Sequence, residues 1–163
     1  MGGRIQCSDD VDLANIVEEK APRRILTLGS YAAIKFAKYL EHHPQAHLTH
    51  ISDGNWLAPI DAGSRFDFTY LSDVLEQMLK PQACHLLTQL RDRSQFLYAK
   101  VPLGKAWLNH VSLWEKNDMR GLGFDLVSLS AEHGRPVGLF CYDSSVYKTE
   151  AEWLNSKYWA EPD

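Results

Sequence analysis

Cysteine is scarce in this chain: three residues, Cys7, Cys84 and Cys141, with no C-x-x-C pair among them. An odd count without paired spacing gives a disulfide framework no support, and a reduced, cytoplasmic setting is the expectation. Cys84 falls in a helical apolar pattern and Cys141 in a strand-like run, so both read as core fillers. Long apolar runs are also lacking, which argues against a membrane span of about 20 residues and against a signal-peptide core. The start Met1-Gly2 lacks the Ser or Thr that myristoylation wants at position six, where Gln6 stands.

A basic excess is absent too. With 17 Lys and Arg against 21 Asp and Glu, the net charge is −4. Neither nucleic acid nor an anionic membrane is therefore expected as a partner. The clusters Arg23-Arg24 and Arg91-Asp92-Arg93 are short and read as solvated surface. No G-x-x-x-x-G-K-[ST] loop, G-x-G-x-x-G loop or G-x-S-x-G elbow occurs. Four histidines, His42, His43, His47 and His50, crowd one stretch. The first two suit the last turn of a helix, where imidazole favours the dipole's negative end. The other two are three apart in a strand-like run, so they point to opposite faces. No metal site is expected there, because zinc wants four convergent ligands.

What is present is an α/β pattern. A chain of 163 residues suits one domain, 1–163, burying roughly 70% of its unfolded surface. Residues 8–20 read as a helix with Val11, Ala14, Ile16 and Val17 on a rough apolar face, ended by Pro22. The run Arg24 to Leu28 reads as a buried strand broken by Gly29, with Ser30 placed to cap a helix running to about His42. A second strand spans 47–52. Asp53 at its tip lies 24 positions beyond Gly29. An acid there suits either a ribose-binding position or a plain Asp-Gly turn, and both readings stand. Residues 56–65 are too few for a helix and another strand, since a crossover alone takes a dozen or more residues.

A third strand, 66–71, leads into Ser72-Asp73 and an acidic helix start, and Pro81 suits the first position of a further helix. A fourth strand covers 95–101, halted by Pro102. Ser112-x-x-Glu115 has the form of a capping box for a helix ending at Gly121 or Gly123. The runs 124–130 and 136–142, joined by a short link with Gly134, predict an antiparallel hairpin. Thr149-x-x-Glu152 suits the start of a last helix. The fold class that follows is a three-layer, Rossmann-like α/β domain. Its mostly parallel sheet has about six strands, helices on both faces, and an antiparallel hairpin at one edge.

With these parts in order, the chain resembles a class I S-adenosylmethionine-dependent methyltransferase of reduced size. FDFTYLSDVLEQM at 66–78 is similar to that family's fourth-strand motif, and HLLTQLRDRSQFLYAKVP at 85–102 to its following helix and fifth strand. MRGLGFDLVSL at 119–129 is similar to the entry into the sixth strand, and the hairpin to the antiparallel close. The resemblance covers residues 24–142 and departs from the family twice. The first-loop pattern acidic-x-Gly-x-Gly-x-Gly is replaced by Thr27, Gly29, Tyr31 and Ala33, and the third strand is missing after Asp53.

The resemblance implies S-adenosylmethionine as cofactor, with binding weakened or lost. It sets Gly29 and Ser30 beside the donor's amino-acid end and Tyr31 in the loop, either narrowing the pocket or facing away. It gives Asp53 the ribose hydroxyls and puts Leu71, Ser72 and Asp73 at the pocket border. Tyr70 and Asp73 are the candidates for orienting or deprotonating a substrate, although an acid such as Asp73 also suits a helix N-terminus regardless of function. The alternative is a non-catalytic interaction module or subunit on the same fold. Five aromatics in the last 22 residues, Tyr142, Tyr147, Trp153, Tyr158 and Trp159, point that way. A homo-oligomer and the identity of any partner stay open.

Overall fold

The structure, a computed structural model, describes residues 8–52, 54, 56, 60, 61, 63–104 and 110–146. Cys7, Asp53 and the expected helix near Thr149 lie outside the described residues, as do four of the five C-terminal aromatics, all but Tyr142.

Six strands make one sheet in the order β2-β1-β3-β4-β6-β5. They are β1 (Arg24–Leu28), β2 (His47–Ile51), β3 (Phe66–Ser72), β4 (Ser94–Pro102), β5 (Asp125–Glu132) and β6 (Arg135–Asp143). The first four run parallel, while β6 returns antiparallel beside β4 and carries β5 at the edge. This is the expected mixed sheet with its terminal hairpin, a Rossmann-like methyltransferase architecture. β1 has the expected bounds, β2 ends one residue early at Ile51 and β5 begins one late at Asp125; elsewhere strands run up to two residues past those expected, and Pro102 closes β4 from within, opposite Val137.

Strands covered on both faces need apolar residues on both, and the alternation along each strand sorts these into two layers. On one face Leu26, Leu97, Ala99 and Val101 meet Leu86, Leu87 and Leu90 of α3 (Lys80–Arg91) and Met119 of α4 (Lys116–Gly121). On the other, Ile25, Phe68, Tyr70 and Tyr98 meet Leu13 and Val17 of α1 (Ser8–Lys20), with Phe36 and Tyr39. Phe68 stacks on Tyr98 at 4.8 Å, and Phe36 meets the Phe68 edge at 5.8 Å. Asp67, between two core aromatics, accepts the Arg23 and Arg24 backbone N–H groups at 2.8 and 2.9 Å. The acid of the FD motif thus ties the entry of β1 to β3.

Local expectations need correction at four places. Ser30 caps neither described helix that follows: a 3-10 turn at Ala33–Phe36 comes first, and α2 spans only Ala37–His42. The acidic helix start after β3 is a single 3-10 turn, Leu75–Gln77, and α3 begins at Lys80, which puts Pro81 second. The capping box lies three residues late, with Asp118 accepting the Glu115 N–H at 2.8 Å. Ser112 is instead drawn inward, donating to the Leu75 carbonyl and accepting from Trp114 Nε1. Finally, Arg91 and Arg93 are half-buried. Arg91 donates to the Leu122 carbonyl at 3.0 Å and lies over the Tyr142 ring.

Trp114 is 1% exposed, and its backbone carbonyl accepts the Gly104 N–H at 2.9 Å, so it seals the loop after β4 to the core. Trp114→Ala is expected to remove about 3–5 kcal/mol of stability, as large-to-small core changes do. Urea unfolding reads this directly, and a loss below about 1 kcal/mol would mean the pocket collapses without a cavity.

Candidate functional site

The site is a product of topology. From β1 the chain steps outward to β2, then returns across β1 to β3, so connections on either side diverge between β1 and β3. In open α/β sheets a crevice opens outside the carboxyl ends of the strands at such a point. Here a cleft of about 870 Å³ opens there, within the range of roughly 300–1,000 Å³ typical of ligand sites. Ser30 and Tyr31 enter it after β1, and Ser52, Gly54 and Trp56 after β2. Asp73, Gln77 and Met78 follow β3, α3 contributes Gln82, His85 and Leu86, and His110 comes from the loop after β4.

Gly29 sets the geometry. Its φ is +115°, and a Cβ there would stand 1.9 Å from the Ser72 carbonyl oxygen. Its N–H donates to the Ile51 carbonyl at 2.9 Å, so one residue joins the ends of three strands. Ser72 is buried behind it, and Leu71, 1% exposed, belongs to the core rather than the cleft wall. Tyr31 lines the cleft and is 74% exposed. Among the described residues only Ala21, Asp73 and His133 are non-glycine residues at positive φ, so position 31 does not demand a glycine conformationally.

The two residues expected to act on a substrate part company. Tyr70 is 1% exposed in the α1-side layer, its ring 5.9 Å from Phe36, and it is not among the cleft residues. Period-two alternation sends 70 to the face opposite 71, which explains the separation. Asp73 does line the cleft, in the left-handed region at φ +61°. No α-helix starts there, so the dipole explanation for an acid at 73 falls away. A non-glycine residue held at positive φ costs on the order of 1–3 kcal/mol and tends to mark functional positions.

Sequence reasoning missed Glu76 and His110. Glu76 is 1% exposed, and among the described residues neither carboxylate oxygen has a hydrogen-bond partner of good geometry. Burial, reinforced by the neighbouring Asp73 and Glu132 carboxylates and only partly offset by the pull of its own backbone, pushes its pKa up to about 8. Burial also lowers His110 below the ordinary 6.5; Asp73 opposes that shift and Arg135 adds to it. Neither residue has a spacing that distinguishes it in the sequence. Both described thiols are held protonated: burial raises Cys84, and pushes Cys141 up to about 11. Among the described residues no cluster of three or more His, Cys, Asp or Glu could hold a metal. No described helix is long and apolar enough to cross a membrane.

This fold, with its cleft at the carboxyl edge, is that of the S-adenosylmethionine-dependent methyltransferases. Magnesium protoporphyrin IX methyltransferase from Synechocystis PCC 6803, with bound S-adenosylhomocysteine, is similar over 86% of this chain and 89% of its own, at 9% identity and a TM-score of 0.56. A putative O-methyltransferase from Nostoc punctiforme PCC 73102 is 11% identical over 82% of this chain, with a TM-score of 0.60. An O-methyltransferase family protein from Burkholderia thailandensis is 14% identical over 82%, with a TM-score of 0.55. The chain spans only 55% and 56% of those last two proteins. By sequence the chain belongs to DUF6231, a family of unknown function whose profile matches residues 8–163. No curated protein sequence matches it.

Glu76 makes stability pH-dependent in a defined direction. Its folded pKa of about 8 exceeds the ordinary 4.5, so the neutral form favours the fold. That contribution is complete below about pH 4.5 and is lost as pH rises through about 8. Glu76→Gln is expected to flatten the decline in unfolding free energy across that window. An identical slope in the two proteins, measured by urea titration at stepped pH, would count against a neutral buried Glu76.

Proposed function

We propose that the protein is a small methyltransferase that binds S-adenosylmethionine in this cleft, more weakly than an intact glycine loop would allow. The observation that carries the reading is an open cleft at the strand-order reversal, with Tyr31 on its lining and 74% exposed. The residues present fit the donor. Gly29 and Ser30 would receive its amino-acid end, the Asp73 carboxylate suits its cationic groups, and Trp56, Met78 and Leu86 offer apolar surface to the purine. Asp53 would take the ribose hydroxyls, as acids at the tip of the second strand do. When bound, the donor supplies an electrophilic methyl group on a sulfonium, so the protein's main task is to position an acceptor against it. Leu71 and Ser72 support the floor from behind. A Cβ and ring at position 31 keep a ligand from approaching the backbone as closely as glycine permits, which is the reason for weak binding. A cytoplasmic setting without nucleic-acid or membrane partners belongs to this reading and rests on composition alone.

A non-catalytic subunit is the second reading. It is favoured by the edge strand β5, whose Leu126, Val127 and Leu129 are 37–49% exposed, with a bulge between Leu126 and Ser128. Such an edge is open to pairing with another strand, and the occupant would be a second copy.

Thermal unfolding with S-adenosylhomocysteine, using NAD and AMP as controls, separates the two. At a hundred times the dissociation constant a ligand adds about 2.7 kcal/mol. For a chain of this size that is a midpoint rise of roughly 5–11 °C. Tyr31→Gly is expected to tighten binding roughly three- to tenfold, or about 0.7–1.4 kcal/mol. No shift with any ligand, together with a dimer in light scattering, would replace the first reading with the second.

A further inference from the structure

We propose that the amino edge of the sheet, opposite the cleft, is the face on which two copies of this chain pair about a twofold axis. The pairing is independent of the donor reading. One half of that edge is basic. Arg24 is the first residue of β1, and Arg65 and Arg93 immediately precede β3 and β4, which start side by side with Phe66 beside Ser94. Phe66 ties the three arginines together. The Arg24 guanidinium lies 5.2 Å from its ring centre, its N–H donates to the Arg93 carbonyl at 2.7 Å, and Arg65 is its neighbour in the chain. Arg23, Arg24 and Arg65 are exposed, and Arg93 is half-buried. Asp67 and Asp92 lie in the same half, and the four arginines outnumber them. The Asp67 carboxylate is taken up by the Arg23 and Arg24 backbone N–H groups, while Asp92 holds Arg65 through its backbone carbonyl. Among the described residues none of these four arginines forms an ion pair.

The other half is acidic. Because β6 runs antiparallel, its last residue, Asp143, stands near the start of β4, opposite Phe96, and the neighbouring β5 opens with Asp125. These two acids line one notch with Leu126, Val127 and Val146, and an adjoining notch that shares Val127 adds Asp12 and Glu19 of α1. Lys20 also lies in this half, 3.9 Å from Glu19 and over the Phe96 ring. Leu126, Val127 and Val146 are 37–55% exposed among the acids. A front that is basic at one end and acidic at the other fits its own reversed copy, as a twofold interface requires. An axis normal to the sheet and passing between β4 and β6 reverses the strand order. It sets β4 and β3 against the β6 and β5 of the second copy. Arg93 and Arg65 then meet the half that carries the partner's Asp143 and the partner's Asp125. A partner of one sign would gain from one half and be repelled by the other, so charge complementarity selects a second copy. Arginine suits the contact because its planar guanidinium takes a carboxylate through two parallel hydrogen bonds. Both clefts stay open, each at the far edge of its own sheet.

Analytical ultracentrifugation of the full chain over a concentration series tests the pairing. The wild type is expected to dimerise at micromolar concentrations in about 50 mM NaCl. In about 500 mM NaCl, where screening acts within about 5 Å, it is expected to lose at least tenfold in affinity. Arg24→Glu with Arg65→Glu turns the basic half acidic, and Glu19→Lys with Asp125→Lys turns the acidic half basic. Each double variant alone is expected to be monomeric, and an equimolar mixture of the two to dimerise again. Circular dichroism and urea unfolding check that both variants are folded, and the salt dependence of the wild type needs no variant. A wild type that stays monomeric overturns the proposal. So does a dimer that is indifferent to salt or survives either reversal, which would place the contact elsewhere, as at the β5 edge. A mixture that stays monomeric overturns the twofold arrangement.

Discussion

The contact between Gly29 and the Ser72 carbonyl is the constraint on which the rest of the site depends. Parallel strands lie about 4.8 Å apart, and where β1 and β3 end side by side there is no room for a side chain at position 29. With only hydrogen there, the loop after β1 folds over the end of β3, and the Gly29 N–H can reach β2 through the Ile51 carbonyl. Beyond Ser72 the chain leaves through Asp73 in the left-handed region. The cleft is what remains between loops sent apart by that close approach.

Around this point the sheet is buried on both faces, and that has an electrostatic consequence. A turn packed beneath the cleft carries Glu76 into a place where its carboxylate has lost water and found no hydrogen-bond partner among the described residues. Such a group is costly when charged, and its environment keeps it neutral over most of the physiological range. The same turn offers its Glu76 and Leu75 carbonyls to Val111 and Ser112. One element thus stores an unusual acid, presents Asp73 to solvent and fixes the position of His110.

The altered glycine loop separates fold from function. Tyr31 has no positive φ and is 74% exposed, and Ala33 opens a 3-10 turn. The fold therefore tolerates both residues at positions where the related family has glycine. What they change is how closely a ligand can approach the backbone, which is a property of the site and not of the scaffold.

The sequence alone determined the layer architecture. Buried runs such as Ile25 to Leu28 and Phe68 to Leu71, punctuated by Gly29 and Pro22, specify strands covered on both sides, and the short link at Gly134 specifies a hairpin. Ser30, Tyr31 and Asp73 were legible as cleft-lining residues because they fall just past strand ends, where chain direction is set locally. Tertiary structure decided the rest. Tyr70 and Leu71 read alike in a continuous apolar run, and only pairing with neighbouring strands assigns them to opposite layers. Ser112 reads as a cap until the packing of Trp114 draws it inward. Glu76 and His110 are 34 positions apart with no motif between them. Their association depends on backbone hydrogen bonds between two loops, and such bonds carry no side-chain signature for a sequence to display.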